Sequence, residues 1–331
     1  MSEIMLISKK ELEARLPMSK TIAICERAYQ ACGEGDVKFP AKITMDLGES
    51  DPWPAYGGHI NAMPAYLGYL DSVGMKWAGG FEGNRALGKP YANACQVLNN
   101  PHTGECIAFM DATHITSIRT GAASGVAAKH LSRADSSVLA IMGAGHQGRM
   151  NLEAILQVRS IREVRVFDQY FEASEAYAKE MGAKFGVTII PCRENQTAVE
   201  GADIVLTCTN GHSQLVRREW LKKGATVIAI GSYQECDEAV YLQNDKILCD
   251  SWAQCSRRGQ LPELVKAGKF SFNNLYSELG EVVAGKKPGR ERDDELICAC
   301  MIGIAPLDIA CGYAVYQEMK AEGNYPTFQL S

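Results

Sequence analysis

At 331 residues, 46% hydrophobic and 22% charged, the chain is long enough for two ordinary domains with real cores, which excludes a disordered or low-complexity polypeptide. A formal net charge of −5, with no stretch that concentrates Lys and Arg, excludes the electrostatic footprint of a nucleic-acid binder. No apolar run approaches the roughly 20 residues that span a bilayer, and "MSEIMLISKKELEARL" lacks the continuous apolar stretch of a secretion signal, so a cytoplasmic protein without a membrane partner is expected.

In chain order, a first helix is expected from Ser8, whose hydroxyl can cap it with Glu11 three residues on. Leu12, Leu16, Ile22 and Tyr29 continue the helical pattern, broken once at Pro17, until Gly33 and Gly35 end it. From "KFPAKITMDL" through "YANACQVLNN" the texture changes to short apolar runs between Gly, Pro and Asn, the mark of strands, and "NNPHTGE" reads as a hairpin turn before "CIAFMD". The front of the chain is therefore a helix plus an antiparallel-looking sheet. After the Ala-rich helix "ITSIRTGAASGVAAKHL", strands alternate with helices: "SVLAIMG", "EVRVFD", "VTIIPC", "ADIVLTCT", "TVIAIGS" and "KILCD" are apolar runs with helix-length segments between several of them. That order predicts a parallel sheet wrapped by helices. The closing "DDELICACMIGIAPLDIACGYAVYQEMKAEG" reads as one or two helices with Pro306 a break or a first-turn residue.

Twelve cysteines are scattered through apolar segments rather than set in a loop-rich framework, and no pair has CxxC spacing. Reduced core thiols are expected, and no metal site. Cys298 and Cys300 would share a side only on a strand.

The stretch "VLAIMGAGHQGRMNLEAI" carries Gly143, Gly145 and Gly148 in the spacing G-x-G-x-x-G. A strand precedes the first glycine and a helix follows the third, the setting in which a pyrophosphate approaches backbone N–H groups at a helix N-terminus. The next strand ends in Asp168, 25 residues after Gly143 (168 − 143), near the usual spacing for the acid that accepts a ribose 2′-OH. A carboxylate there repels a 2′-phosphate, and Gln169, Tyr170 and Phe171 offer no cation to bind one. NAD is thus expected over NADP. The alternative is that Asp168 only ends a strand.

Three basic residues lie in otherwise apolar or small-residue segments: Lys42 in "FPAKITMDL", Lys76 in "GMKWAGGF" and Arg119 in "ITSIRTGAAS". Burial or a neighbouring cation lowers a lysine pKa toward the range of proton transfer, and the arginine fork suits a carboxylate. The alternative for Lys76 is a side chain that snorkels from a sheet edge. His59, His102, His114, His130 and His212 have no ligand spacing, and of these His59, just before "INAMPAYL", is the one kept as a pocket residue.

The succession "MPAYLG", "GMKWAGGFEGN", "GKPYANACQVL", "TGECIAFMDATHITSIRTGAASGVAAKHL", "MGAGHQG", "ADIVLTCT", "ELGEVVAGKKPGR" and "GIAPLDIA" resembles the ornithine cyclodeaminase and mu-crystallin family over nearly the whole chain. The resemblance implies an α/β protein with a Rossmann-type doubly wound parallel sheet over residues 119–303. Residues 1–118 with 304–331 then form an α+β domain for substrate binding and dimerisation. It implies NAD(P) chemistry at the C–N bond of an α-amino or imino acid, by cyclodeaminases, alanine dehydrogenases or ketimine and cyclic imine reductases, usually as homodimers. Lys76 then corresponds to the lysine that contacts the substrate carboxylate or carbonyl, and Arg119 to the arginine between substrate and nicotinamide. Lys42 stands where many members have a second carboxylate-binding arginine. His146 and Gln147 fill the variable positions of the glycine loop. Thr209, Gly231, Ser232 and Met301 match positions that line the nicotinamide half.

One segment departs from the family. Cyclodeaminase-like members carry an acid/base Asp in a stretch resembling "GxDxPGKxEL", whereas this chain has "IGSYQECDEAV", with Tyr233 at or near that position. Glu235 and Asp237 are the carboxylates nearest to hand. Simple hydride transfer assisted by Lys76 is the expectation. A cyclase that uses NAD without net consumption, and a mu-crystallin-like binding protein without turnover, are the alternatives.

Overall fold

The computed structural model describes residues 3–48 and 56–329. In chain order the front half runs β1 (Glu3–Ile7), α1 (Lys9–Arg15), α2 (Met18–Glu34), β2 (Val37–Lys38), β3 (Ile43–Asp46), β4 (Gly58–Leu67), β5 (Ser72–Phe81), β6 (Ala92–Asn99), β7 (Cys106–Asp111) and α3 (Thr113–Leu131). Then come β8 (Val138–Met142), α4 (His146–Val158), β9 (Glu163–Phe167), α5 (Phe171–Phe185), β10 (Thr188–Cys192), α6 (Asn195–Val199), β11 (Ile204–Thr207), β12 (Thr226–Ala229), α7 (Glu238–Leu242) and β13 (Lys246–Cys249). The chain closes with α8 (Trp252–Cys255), α9 (Pro262–Lys266), β14 (Ser277–Glu278), α10 (Leu279–Val283), β15 (Ile297–Cys300), α11 (Ala305–Glu322) and β16 (Thr327–Gln329). It divides into two compact units, residues 1–119 with 304–331 and residues 120–303.

In the first unit Ser8 caps α1, its hydroxyl accepting from the Glu11 N–H at 3.3 Å. Pro17 separates α1 from α2, and Gly35 ends α2 in the left-handed conformation, at φ 83°, while Gly33 remains inside the helix. Leu12, Leu16, Ile22 and Tyr29 are all buried. The sheet runs β16-β1-β7-β6-β5-β4-β2, with β3 also on β4. Its hairpins are antiparallel, as the turn signals imply, but β1 pairs parallel with β7. β1 corrects the sequence reading, which found no strand before Ser8; "EIMLI" is five residues long and its pattern too short to announce itself. Strand alternation puts Ser72, Gly74 and Lys76 of β5 on the buried face, against which α11 packs.

The second unit is an all-parallel sheet in the order β10-β9-β8-β11-β12-β15-β13-β14. β11, β12, β13 and β15 are buried at every position, as strands covered on both faces must be, and this explains their unbroken apolar runs. Pro191 is tolerated because β10 is the edge. The chain lays down β8, β9 and β10 outward in one direction and then returns to place β11 on the other side of β8, so strand order reverses between β8 and β11.

The segment "LICAC" is a strand rather than the start of a helix. A four-residue apolar run joined to an apolar helix carries no period of its own, and the two are parted only at Gly303, at φ 82°, before α11. Pro306 sits in the first turn of α11, where its missing N–H costs nothing. Cys298 and Cys300 therefore do share a side, both buried, and all twelve cysteines are free thiols. Among the described residues no helix is long and apolar enough to cross a membrane, and no three His, Cys, Asp or Glu side chains are grouped to hold a metal ion.

Candidate functional site

In the first unit, two of the expected cations meet on one carboxylate. Lys76 Nζ and Arg119 Nε each donate to Oδ1 of Asp308 at 2.9 Å. Three elements bring them together: the inward face of β5, the second turn of α3 and the first turn of α11. Asp111 anchors α3 by accepting from the N–H groups of Thr113 and His114, which fixes the helix that carries Arg119. Asp308 is wholly buried at the positive end of α11, where backbone dipoles favour an anion.

Burial lowers the Lys76 pKa most, the Arg119 charge lowers it further, and Asp308 only partly offsets them, so that it falls to about 7. Half-buried Lys42, just ahead of β3, adds to the lowering. Burial alone would raise the Asp308 pKa, but Arg119 and Lys76 outweigh it and hold the carboxyl below its usual range. Arg119 loses to burial but gains more from Asp308, and stays charged. The cluster is thus a buried lysine poised between its two protonation states, beside a fixed guanidinium and a fixed carboxylate. His59 lies on β4, half-buried and opposite Gly80. Asp308 was not singled out by sequence reasoning; the signal available was an acid inside the apolar "GIAPLDIA".

In the second unit, Gly143 follows β8 at φ 115°, a conformation that favours glycine. At Gly148 a Cβ would stand 2.3 Å from the Gly143 carbonyl, so only glycine lets the helix start this close to the loop. At Gly145, by contrast, a Cβ would meet no protein atom within 4 Å. Gly145 is the N-cap of α4, and no side chain caps the helix. His146 is exposed, and Gln147 Oε1 accepts from Asn151 Nδ2 at 3.3 Å. Asp168, at the end of β9, accepts from the Ala144 N–H at 2.9 Å and the Tyr170 N–H at 3.1 Å, which ties it to the glycine loop.

The ends of β11 and β12 are locked by Glu235. Its carboxylate accepts from Thr207 Oγ1 at 2.7 Å, from the Thr209 N–H and Oγ1 at 2.7 and 2.8 Å, and from the Gly231 N–H at 3.0 Å. Burial raises its pKa against the pull of these donors. Asp237 is the N-cap of α7 and accepts from the Val240 and Arg218 N–H groups. Glu235 and Asp237 of "IGSYQECDEAV" are therefore both committed to neighbouring backbone N–H groups, Glu235 to two threonine hydroxyls as well. Ser232 is half-buried, Tyr233 is exposed and stacks on the His212 ring at 3.7 Å, and Met301 is buried, its N–H bonded to Ala229.

A parallel sheet whose strand order reverses beside a glycine-rich turn and a helix N-terminus is a Rossmann-type fold, the class that binds dinucleotides at the reversal. Alanine dehydrogenase of Archaeoglobus fulgidus is 32% identical over 322 residues, which cover 95% of this chain and 95% of that protein. The Delta(1)-pyrroline-2-carboxylate reductase of Thermococcus litoralis, solved with NADH and L-proline, superposes with a TM-score of 0.91 at 30% identity over 98% of this chain and 99% of that one. An archaeal alanine dehydrogenase dimer with bound NAD gives a TM-score of 0.91 at 31% identity over 99% and 100%. The chain belongs to the ornithine cyclodeaminase/mu-crystallin family, whose description matches residues 2–323.

Proposed function

We propose that this protein is an NAD-dependent oxidoreductase that moves hydride at the C–N bond of a small α-amino or imino acid. The observation that carries the reading is the buried Lys76 with a pKa of about 7, held beside Arg119 by Asp308. A group that is both acid and base near neutrality is what reversible oxidation of an amine requires. With Lys76 protonated, it and Arg119 carry two positive charges against the one negative charge of Asp308, which suits a substrate carboxylate.

The second unit fits the coenzyme. Gly145 has room for a side chain that the chain does not use, and open backbone at an uncapped helix N-terminus is what a pyrophosphate needs. Asp168 would take the ribose hydroxyls, with Thr209, Gly231, Ser232 and Met301 toward the nicotinamide. When bound, NAD accepts or donates the hydride. In the oxidative direction neutral Lys76 takes a proton from the substrate nitrogen; in the reductive direction its ammonium returns one, while Arg119 and Lys42 hold the carboxylate. The cyclase reading loses ground because neither Glu235 nor Asp237 is at liberty to act as its acid/base.

The test is direct. Purified protein with NAD and a panel that includes alanine and proline should accumulate NADH in step with substrate consumed, and NADH should be oxidised by cyclic imines or by 2-oxo acids with ammonia. Ammonia release without NADH supports the cyclase instead, and coenzyme binding with no turnover supports the binding protein. Coenzyme choice is tested by Asp168→Ala, which should shift the NAD over NADP preference about tenfold toward NADP and also weaken NAD binding, since the Ala144 N–H loses its acceptor. An unchanged ratio rejects the ribose contact.

We also propose a homodimer formed by the first unit. Leu6 pairs with Phe109, and Ile43, Ala62 and Trp77 lie in one row across β3, β4 and β5, on the sheet face opposite Lys76. Leu6, Ile43, Met45, Trp77 and Phe109 are large apolar side chains exposed on that face, the kind of surface a partner covers. Phe109→Asp should halve the mass measured by light scattering; wild-type mass in that variant rejects this face.

A further inference from the structure

The first unit holds a second buried polar side chain that the mechanism above does not use. Gln96 on β6 is fully buried and stands directly opposite Lys76 on β5, so the two side chains run together on the inward face. Neither its Nε2 nor its Oε1 has a hydrogen-bond partner. Its amide presses against α11 at Gly312, where a Cβ would stand 2.0 Å from Nε2, so the absence of a side chain at 312 makes the room that Gln96 fills. Gly312 lies four residues, about one helical turn, after Asp308. Both bonds to Asp308 fall on Oδ1, and its Oδ2 is likewise buried without a partner. An unsatisfied donor on Gln96 thus packs against α11 one turn from an unsatisfied acceptor that the helix itself carries, Oδ2 of Asp308.

Buried amides without partners are rare because they weaken the fold. What sets Gln96 apart from other orphaned polar groups such as Asn244 is its place opposite Lys76. When Lys76 gives its proton to the substrate nitrogen, Asp308 loses one of the two cations that share its charge and keeps Arg119. We propose that Gln96 is a positioning residue for Lys76, its Nε2 turning to donate to Oδ2 of Asp308 in the state in which the lysine is neutral. The amide then stabilises neutral Lys76 and eases the proton's departure. The groups that bear on this step from the surrounding elements are Asp308 and Cys311 on α11, Arg119 on α3, Lys42 ahead of β3, and Cys25 and Tyr29 on α2. Gln96 is uncharged and so acts without adding to the field.

The inference rests on Lys76 as the acid/base of the proposed reaction. The experiment compares the full-length wild type with Gln96→Met, close in shape but without the amide, and Gln96→Glu. At pH 6, where Lys76 is mostly protonated, Gln96→Met should raise Tm by about 2–4 °C, because an orphaned amide is removed. Its kcat should fall about tenfold, KM should change little, and the pH limb set by Lys76 should move upward by roughly half a unit or more. Gln96→Glu, which places a second carboxyl beside the lysine, should move the limb further in the same direction. A Tm that falls in Gln96→Met, or a kcat and limb that match wild type in both variants, overturns the role of Gln96 while leaving the proposed reaction intact. Wild-type protein that turns over no amino or imino acid overturns both.

Discussion

Lys76→Met should cut turnover by at least about 10²-fold in both directions while the coenzyme affinity stays near wild type. The side chain replaced is of similar length and apolar, so the buried face of β5 stays filled, and what is lost is the proton carrier. In the wild type the oxidative rate should rise through pH 7 as Lys76 loses its proton and becomes a base; the reductive rate should fall through the same pH, because there the ammonium is the acid. Both limbs should be absent from whatever activity Lys76→Met retains. A variant that keeps its turnover, or loses NAD binding in parallel with it, shows that residue 76 is structural.

Asp308→Asn should be the most damaging change for the fold and nearly as damaging for the reaction. It leaves the Arg119 guanidinium buried without its counter-ion, a loss of about 3–5 kcal/mol for a broken buried pair, or a fall in Tm on the order of 5–10 °C. The sign on Lys76 follows from the charges around it. Burial and Arg119 already lower its pKa and Asp308 is what opposes them, so without Asp308 the pKa drops below 7 and the limbs move to lower pH. Reduction at neutral pH then slows because the ammonium is scarce. Scanning calorimetry and pH profiles of both directions measure this, and a limb left at the wild-type pH in Asp308→Asn contradicts the shared-carboxylate geometry.

Much of this site was legible in the sequence because a charge in an apolar run has few places to go. Lys76 in "GMKWAGGF" and Arg119 in "ITSIRTGAAS" announce themselves in that way, and the glycine spacing marks the turn of the second unit that is expected to take the coenzyme. Asp308 escaped because an acid in the first turn of a helix ordinarily faces solvent and serves the dipole, and nothing in "APLDIA" says that this turn is wholly buried. Glu235 was visible as an acid, but its task of binding the ends of β11 and β12 depends on Thr207, Thr209 and Gly231, which only the folded sheet brings to it. The parallel sheet followed from its apolar runs, whereas β15 was hidden inside a longer apolar segment and β1 was too short to show alternation.

The central assertion, that this chain carries hydride between an amino acid's α-carbon and NAD with net change in the coenzyme, is tested most directly by isotope. Protein supplied with NAD and an α-deuterated amino acid that it consumes should deliver the label to C4 of NADH, one deuterium for each substrate oxidised. Label that returns to the carbon product while the coenzyme ends oxidised, or that washes into solvent, contradicts the account.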